Sequence, residues 1–388
     1  MKTIRPLTNT KVSKIPASGI RRFFDLAGGM DGAISLGVGE PDFVTPEAFR
    51  DAAIRSIKEG KTKYTSNYGI KALRDAIVEH TAKLRGVRYD ADREVIVTVG
   101  VSEAVDLALR ATLNDGDEVI VADPSYVAYV PGIILAGGVP VPVRTEESND
   151  FRLTADALAQ AITPRTRAIL LGFPNNPTGA VLTKDDVTGI AALAQEHDLL
   201  VYADEIYDRL VYGTEHQSIL DVPEMKERTI YLAGFSKSYA MTGWRVGYAC
   251  APAEVIEQMM KIHQYTVMCV PTAAQYAALE ALKNGEADVQ RMVKEYDERR
   301  RFMWKRFNDM GLHCFEPRGA FYCFPNITST GMNDEQFAER LLLEEKVVTV
   351  PGSAFGERGR GHVRACYATS LEKIEEAGER IARFVGRA

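Results

Sequence analysis

Lys237 lies in the segment GFSKSYAMTGWRVGY, residues 234–248, among glycine, serine and aromatic neighbours. Burial disfavours an ammonium, so a lysine in such a loop has a lowered pKa and a nucleophilic neutral amine. Arg245 follows eight residues later, flanked by Gly243, Trp244 and Gly247. A guanidinium there suits a phosphate. The pair fits a Schiff-base lysine beside a phosphate-bearing group. A plain buried loop satisfies the same residues.

Five further segments offer matching chemistry. In YADEIYDRLVY, residues 202–212, Asp204 closes an apolar run. A carboxylate there could pair with the pyridine nitrogen of a pyridoxal phosphate ring and keep it protonated. A helix N-cap is the alternative. Tyr207, one turn on, could reach the ring's phenolic oxygen, and so could the amide of Asn176 in FPNNPTG, residues 173–179. In VTVGVSEAV, residues 97–105, Gly100 follows an apolar run and opens a helical pattern, with Ser102 adding a hydroxyl. Free backbone N–H groups at a helix N-terminus form a phosphate cradle. Tyr126 in ADPSYVAY could stack on an aromatic cofactor or simply pack. Arg364 in GHVRACYATS lies in a strand pattern, where it either snorkels, meets a carboxylate of the protein, or clamps a substrate α-carboxylate.

The elements that must position these residues alternate. Short apolar runs at 94–99, 119–122, 139–143, 168–172, 199–204, 229–233 and 246–251 read as strands. Helical patterns lie between most of them, including 71–85, about 102–113, 126–136 and 184–196. Thr45 before Pro46 predicts a capped helix start. Strands lacking polar alternation, separated by helices, predict an α/β fold whose large, mostly parallel sheet is covered on both faces. From Pro252 to Met310 the pattern is nearly all helical. The last eighty or so residues mix strands near 321–324, 347–350 and 363–366 with helices at 334–345 and 371–385. This predicts a large domain at 46–285. A smaller α+β domain is discontinuous, formed by 1–45 and 286–388.

Composition narrows the function classes. The 388 residues carry 47 basic and 53 acidic side chains, a net charge of −6. A nucleic-acid binder would usually show a basic footprint. The five cysteines form no CxxC pair and the six histidines no HxxxH, so neither a disulfide scaffold nor a metal site is expected. There is no GxGxxG or P-loop glycine pattern, which weighs against a nicotinamide dehydrogenase. The polar N-terminus lacks an apolar signal core, and no run reaches the ~18 apolar residues of a membrane span. A cytoplasmic protein is the expectation.

These segments together resemble the class I/II aminotransferases, the fold-type-I pyridoxal-phosphate enzymes. SLGVGEPDFVTP (35–46), KYTSNYGIKALRDAI (63–77), PRGAFYCFP (317–325) and VVTVPGSAFG (347–356) extend the resemblance in the family's order over nearly the whole chain. It implies pyridoxal 5'-phosphate held as an aldimine by Lys237, with Asp204 at the ring nitrogen. It also implies Asn176 and Tyr207 at the phenolic oxygen and Tyr126 on the ring face. Gly100, Val101, Ser102 and Arg245 would hold the phosphate, and Gly39 and Arg364 the substrate carboxylate. Tyr64 in KYTSNYG would serve the neighbouring subunit's phosphate, which implies a homodimer with shared sites. One departure is Gly234, where many members have a phosphate-binding hydroxyl; the hydroxyl here is that of Ser236, directly before the lysine.

The implied reaction is ping-pong transfer of an amino group from an amino acid to a 2-oxo acid such as 2-oxoglutarate. SGIRRFFDLAGGM (18–30) and PGSAFG resemble aromatic and broad-range enzymes, and also aspartate and N-acetyl-diaminopimelate relatives. An aromatic or broad-range donor is favoured. Lys14, Arg21 and Arg22 are candidate readers of a distal carboxylate, although a solvated helix face accounts for Arg21 and Arg22. A β-lyase of the same fold is the main rival activity.

Overall fold

The computed structural model describes residues 7–13, 15 and 30–387. Lys14, Arg21 and Arg22 lie outside the described residues, so their candidacy has no structural account. The main sheet has seven strands: β2 (Val95–Thr98), β3 (Glu118–Asp123), β4 (Val139–Arg144), β5 (Thr166–Leu171), β6 (Leu200–Asp204), β7 (Thr229–Gly234) and β8 (Gly247–Cys250). Their order is β2-β8-β7-β6-β5-β3-β4. β3 to β7 pair in parallel, and β8 runs antiparallel to both β7 and β2. The strands are buried almost throughout except β4 at the edge. That is why they read as apolar runs.

The reversed β8 matters for the site. Parallel neighbours need a crossover, whereas antiparallel ones can be joined by a short loop. The β7–β8 link is such a loop, residues 235–246, and it carries both Lys237 and Arg245. Reversal also brings the start of β8 to the same sheet edge as the C-terminal ends of β2, β5, β6 and β7. Crevices outside strand ends are where open α/β sheets bind ligands.

Two smaller sheets complete the fold. β9 (Tyr322–Cys323), β11 (Val350–Pro351) and β12 (Val363–Cys366) form an antiparallel trio in the order β11-β12-β9. β1 (Ile34–Ser35) pairs in parallel with β10 (Val347–Val348), so residues near the N-terminus join the C-terminal part. The helices Glu286–Asp309, Asp334–Glu345 and Leu371–Val385 share one apolar core with β9 and β12.

Some sequence expectations are corrected. Thr45 does not cap the helix Glu47–Lys58, whose N-cap is Pro46. Its hydroxyl donates to the Ala240 carbonyl and accepts from Trp244 Nε1 at 3.0 Å, tying the N-terminal segment to the lysine loop. The helix expected at 126–136 spans only Tyr129–Leu135. The preceding backbone is taken by another partner, because Ser125 N–H donates to the Phe355 carbonyl at 3.0 Å. The run 347–350 is two strands in two sheets, since Val347–Val348 pairs with β1 while Val350–Pro351 pairs with β12.

Candidate active site

A cavity of about 600 Å³ opens at the C-terminal edge of the main sheet, against β9 and β12. Lys237, Asp204, Tyr207, Asn176, Tyr126, Val101, Ser102, Arg245, Gly39 and Arg364 all line it. Gly100 begins the helix Gly100–Thr112 at its wall. Tyr64 does not line it; this side chain is 80% exposed.

Lys237 is half-buried, and desolvation pushes its ammonium down to about 8. Its Nζ donates to the Gly39 carbonyl at 2.6 Å. Asp204 ends β6. Burial pushes its carboxyl up to about 6, against the pull of two donors. Tyr129 Oη donates to Oδ2 at 2.8 Å, and Ile206 N–H to Oδ1 at 3.2 Å. The N-cap reading of Asp204 fails, because no helix follows β6 directly. Behind it the buried Glu205 accepts from Ser218 Oγ, pairs with Arg85 at 3.2 Å and meets His216 Nε2 at 2.8 Å. These contacts fix the strand end that aims Asp204 and Tyr207.

The glycines shape an anion cradle. Gly100 has φ +72°, and a Cβ there would lie 2.5 Å from Arg245 Nη2. A Cβ on Gly247 would lie 2.6 Å from Gly100 C and Val101 N. Only bare backbone lets β8 pass so close to the helix start. The helix entry is locked by Glu103, which accepts from Val99 N–H and meets His263 Nδ1 at 2.9 Å. Arg245 itself holds φ +56°, a region non-glycine residues rarely occupy. Its Nη1 donates to the Thr242 carbonyl at 3.1 Å and its Nη2 to Ser102 Oγ at 3.3 Å. Ser236 also lines the cavity.

Arg364 is the second anion feature. Nη1 donates to Asn176 Oδ1 at 2.8 Å and Nη2 to the Gly37 carbonyl, while Nε is buried without a partner. Tyr322 and Phe355 flank the guanidinium at 4.5 and 4.8 Å from their ring centres. Among the described residues no carboxylate pairs with it. A buried unpaired cation facing a cavity is costly unless an anion arrives. Tyr322 was not foreseen. Its hydroxyl meets Tyr207 Oη at 2.8 Å, and a Cβ on Gly39 would collide with it.

This donor set fits pyridoxal phosphate. There is a desolvated amine, a buried carboxylate with donors on both oxygens, a helix-start anion cradle with an arginine, and two hydroxyl or amide groups between them. The Aminotransferase class I and II family matches residues 31–381, so the chain belongs to that family, whose members depend on pyridoxal phosphate. It is 51% identical to a putative aminotransferase, YugH, of Bacillus subtilis, over 96% of this chain and 97% of that one. It is 46% identical to aromatic-amino-acid aminotransferase 2 of Thermococcus litoralis, over 97% of each. A solved single mutant of Thermus thermophilus aspartate aminotransferase superposes with a TM-score of 0.93 at 40% identity, covering 98% of this chain and 100% of that one. The chain is therefore an aminotransferase, with the fold of the type I pyridoxal-phosphate enzymes.

Proposed function

We propose that this enzyme moves the amino group of an aromatic or broad range of amino acids to a 2-oxo acid such as 2-oxoglutarate, in two half-reactions that share one cavity. The observation that carries the reading is the composition of the cavity wall. Among the described lining residues the only cations are Lys237, Arg245 and Arg364. Each already has a task. The rest of the lining includes Val38, Val105, Pro131 and Leu135, with Glu40 and Asp106 as further acids. Apolar side chains gain there by burial, while a distal carboxylate finds like charge.

The same geometry supports a role for each residue. Bound pyridoxal phosphate supplies an electron-accepting ring that stabilises charge at the substrate Cα. Asp204 would hold the ring nitrogen protonated. Asn176 and Tyr207 would donate to the phenolic oxygen, and Tyr126 would cover a ring face. Gly100, Val101, Ser102 and Arg245 would hold the phosphate through backbone N–H groups, a hydroxyl and a guanidinium. Arg364 would clamp the substrate α-carboxylate beside Gly39. Lys237 Nζ, once released, would take the Cα proton; a pKa near 8 lets it act as base at mildly alkaline pH.

We also infer a homodimer in which Tyr64 completes the partner's phosphate site, and a division into a 46–285 domain and a 1–45 plus 286–388 domain. Support for the dimer is the exposure of Tyr64, Tyr265, Val267 and Met268, while the Thr272–Lys63 and Gln275–Thr65 hydrogen bonds hold the segment that carries Tyr64 against the helix Thr272–Asn284. Support for the division is the β1–β10 pairing and the shared C-terminal core.

The test is a panel of amino donors mixed with holoenzyme, followed by bleaching of the cofactor's visible band. Phenylalanine and tyrosine should react at least tenfold faster than aspartate. Aspartate or N-acetyl-diaminopimelate reacting faster would move the assignment to those relatives. Steady ammonia release from a cysteine conjugate without acceptor would make it a β-lyase.

A further inference from the structure

We propose that Tyr129 is the positioning residue that keeps Asp204 ionised for the cofactor, and that Gly172 is a glycine in order to admit its phenol. The proposal rests on the assignment of Asp204 to the ring nitrogen.

Tyr129 is buried, and its Oη donates to Asp204 Oδ2 at 2.8 Å. The other oxygen takes only the Ile206 N–H at 3.2 Å. Tyr129 is thus the sole side-chain donor to Asp204 among the described residues. The charged groups around this carboxylate are Glu205, which opposes its ionisation, and Lys237, which favours it weakly. A buried carboxylate keeps its charge chiefly through donors to the charged form. Losing one such donor raises its pKa.

Tyr129 has a second contact. Its ring meets that of Tyr126 edge-on, with centres 5.4 Å apart and planes at 82°. One phenol therefore braces both the carboxylate and the proposed ring-covering tyrosine. Gly172, just after β5, makes this possible. A Cβ there would collide with Tyr129 Oη and lie 2.8 Å from the ring. An alanine would displace the phenol while leaving its hydroxyl intact. The two residues thus give independent ways to break the same hydrogen bond.

The experiment titrates apoprotein with pyridoxal phosphate between pH 5.5 and 9, measuring the visible band and the dissociation constant, for wild type, Tyr129→Phe, Gly172→Ala and Asp204→Asn. Melting curves of the apoproteins report folding. For both Tyr129→Phe and Gly172→Ala, affinity at pH 7.5 should fall about tenfold, the scale of a lost hydrogen bond to a charged group. On acidification their binding should weaken from a pH roughly one unit higher than in wild type, because Asp204 protonates earlier. Asp204→Asn should lose affinity without that pH dependence. If Asp204→Asn binds like wild type, the assignment of Asp204 fails. If Asp204→Asn behaves as expected while a folded Tyr129→Phe keeps the wild-type affinity and pH profile, the role of Tyr129 is overturned. Should Tyr129→Phe not fold, Gly172→Ala tests the same hydrogen bond: the tenfold loss with the shifted pH profile supports the role, and wild-type binding overturns it.

Discussion

Asp204 is buried and Lys237 half-buried where their charged forms are disfavoured, and this costs stability. A carboxyl raised from 3.8 to about 6 corresponds to roughly 3 kcal/mol at most. The sign is set by proton uptake. Between about pH 4 and 6 the folded apoprotein holds a proton that the unfolded chain has lost, so stability contributed by the protonated form disappears as pH rises through that window. Apoprotein carrying Asp204→Asn should therefore gain on wild type across that range and stay more stable above it, by about 1–3 kcal/mol in urea titrations. Parallel curves would contradict the burial argument. For Lys237 the neutral amine grows in as pH passes about 8. The rate at which apoprotein captures pyridoxal phosphate should rise with pH and level off above that midpoint in stopped-flow absorbance. Most of these residues were legible in the sequence, because lysine, aspartate and arginine beside glycine and apolar runs imply desolvated charge. Tyr129 and Tyr322 were not, since their partners stand 75 and 115 residues away and no local spacing encodes that meeting.

At the scale of elements, the site depends on β8 threading between β7 and β2 in the opposite sense. Gly247 pairs with Thr98 on one side and Gly234 on the other. Its bare Cα lies against the start of the helix Gly100–Thr112. Gly247→Ala should push that helix start away from Arg245, at a stability cost of about 1–3 kcal/mol. Affinity for pyridoxal phosphate should fall, while affinity for pyridoxal, which lacks the phosphate, should change little. Equal losses for both would mean that the cradle is not where the phosphate sits. The sequence pattern located almost every strand and helix, because buried parallel strands and capped helices leave strong local signals. It could not show that β8 is reversed, nor that 347–350 splits between two sheets. Those outcomes depend on which strand is the neighbour, and pairing partners are set by the packing of the whole sheet. The same holds for Thr45, whose hydroxyl is taken by the lysine loop rather than by its own helix.

For the whole molecule, the proposed dimer makes each cavity dependent on two chains. Tyr64 is far too exposed for a core role in one chain and has no place in that chain's own cavity. Mixing Tyr64→Ala and Lys237→Ala chains should produce heterodimers in which one site carries both defects and the other carries neither. Activity should recover toward one intact site per mixed dimer; no recovery would place Tyr64 outside the site. The net charge of −6 is a property of the whole surface, whereas the three cations that matter sit inside one cavity. Net charge therefore carries nothing about substrate. Amino transfer through Lys237 can be read in a single turnover. Holoenzyme mixed with phenylalanine and no acceptor should release one equivalent of 2-oxo acid per chain, lose its visible band, and regain the band on adding 2-oxoglutarate. Lys237→Ala should do none of this at a comparable rate. Continuous product release without an acceptor, or wild-type turnover by Lys237→Ala, would rule out amino transfer through Lys237.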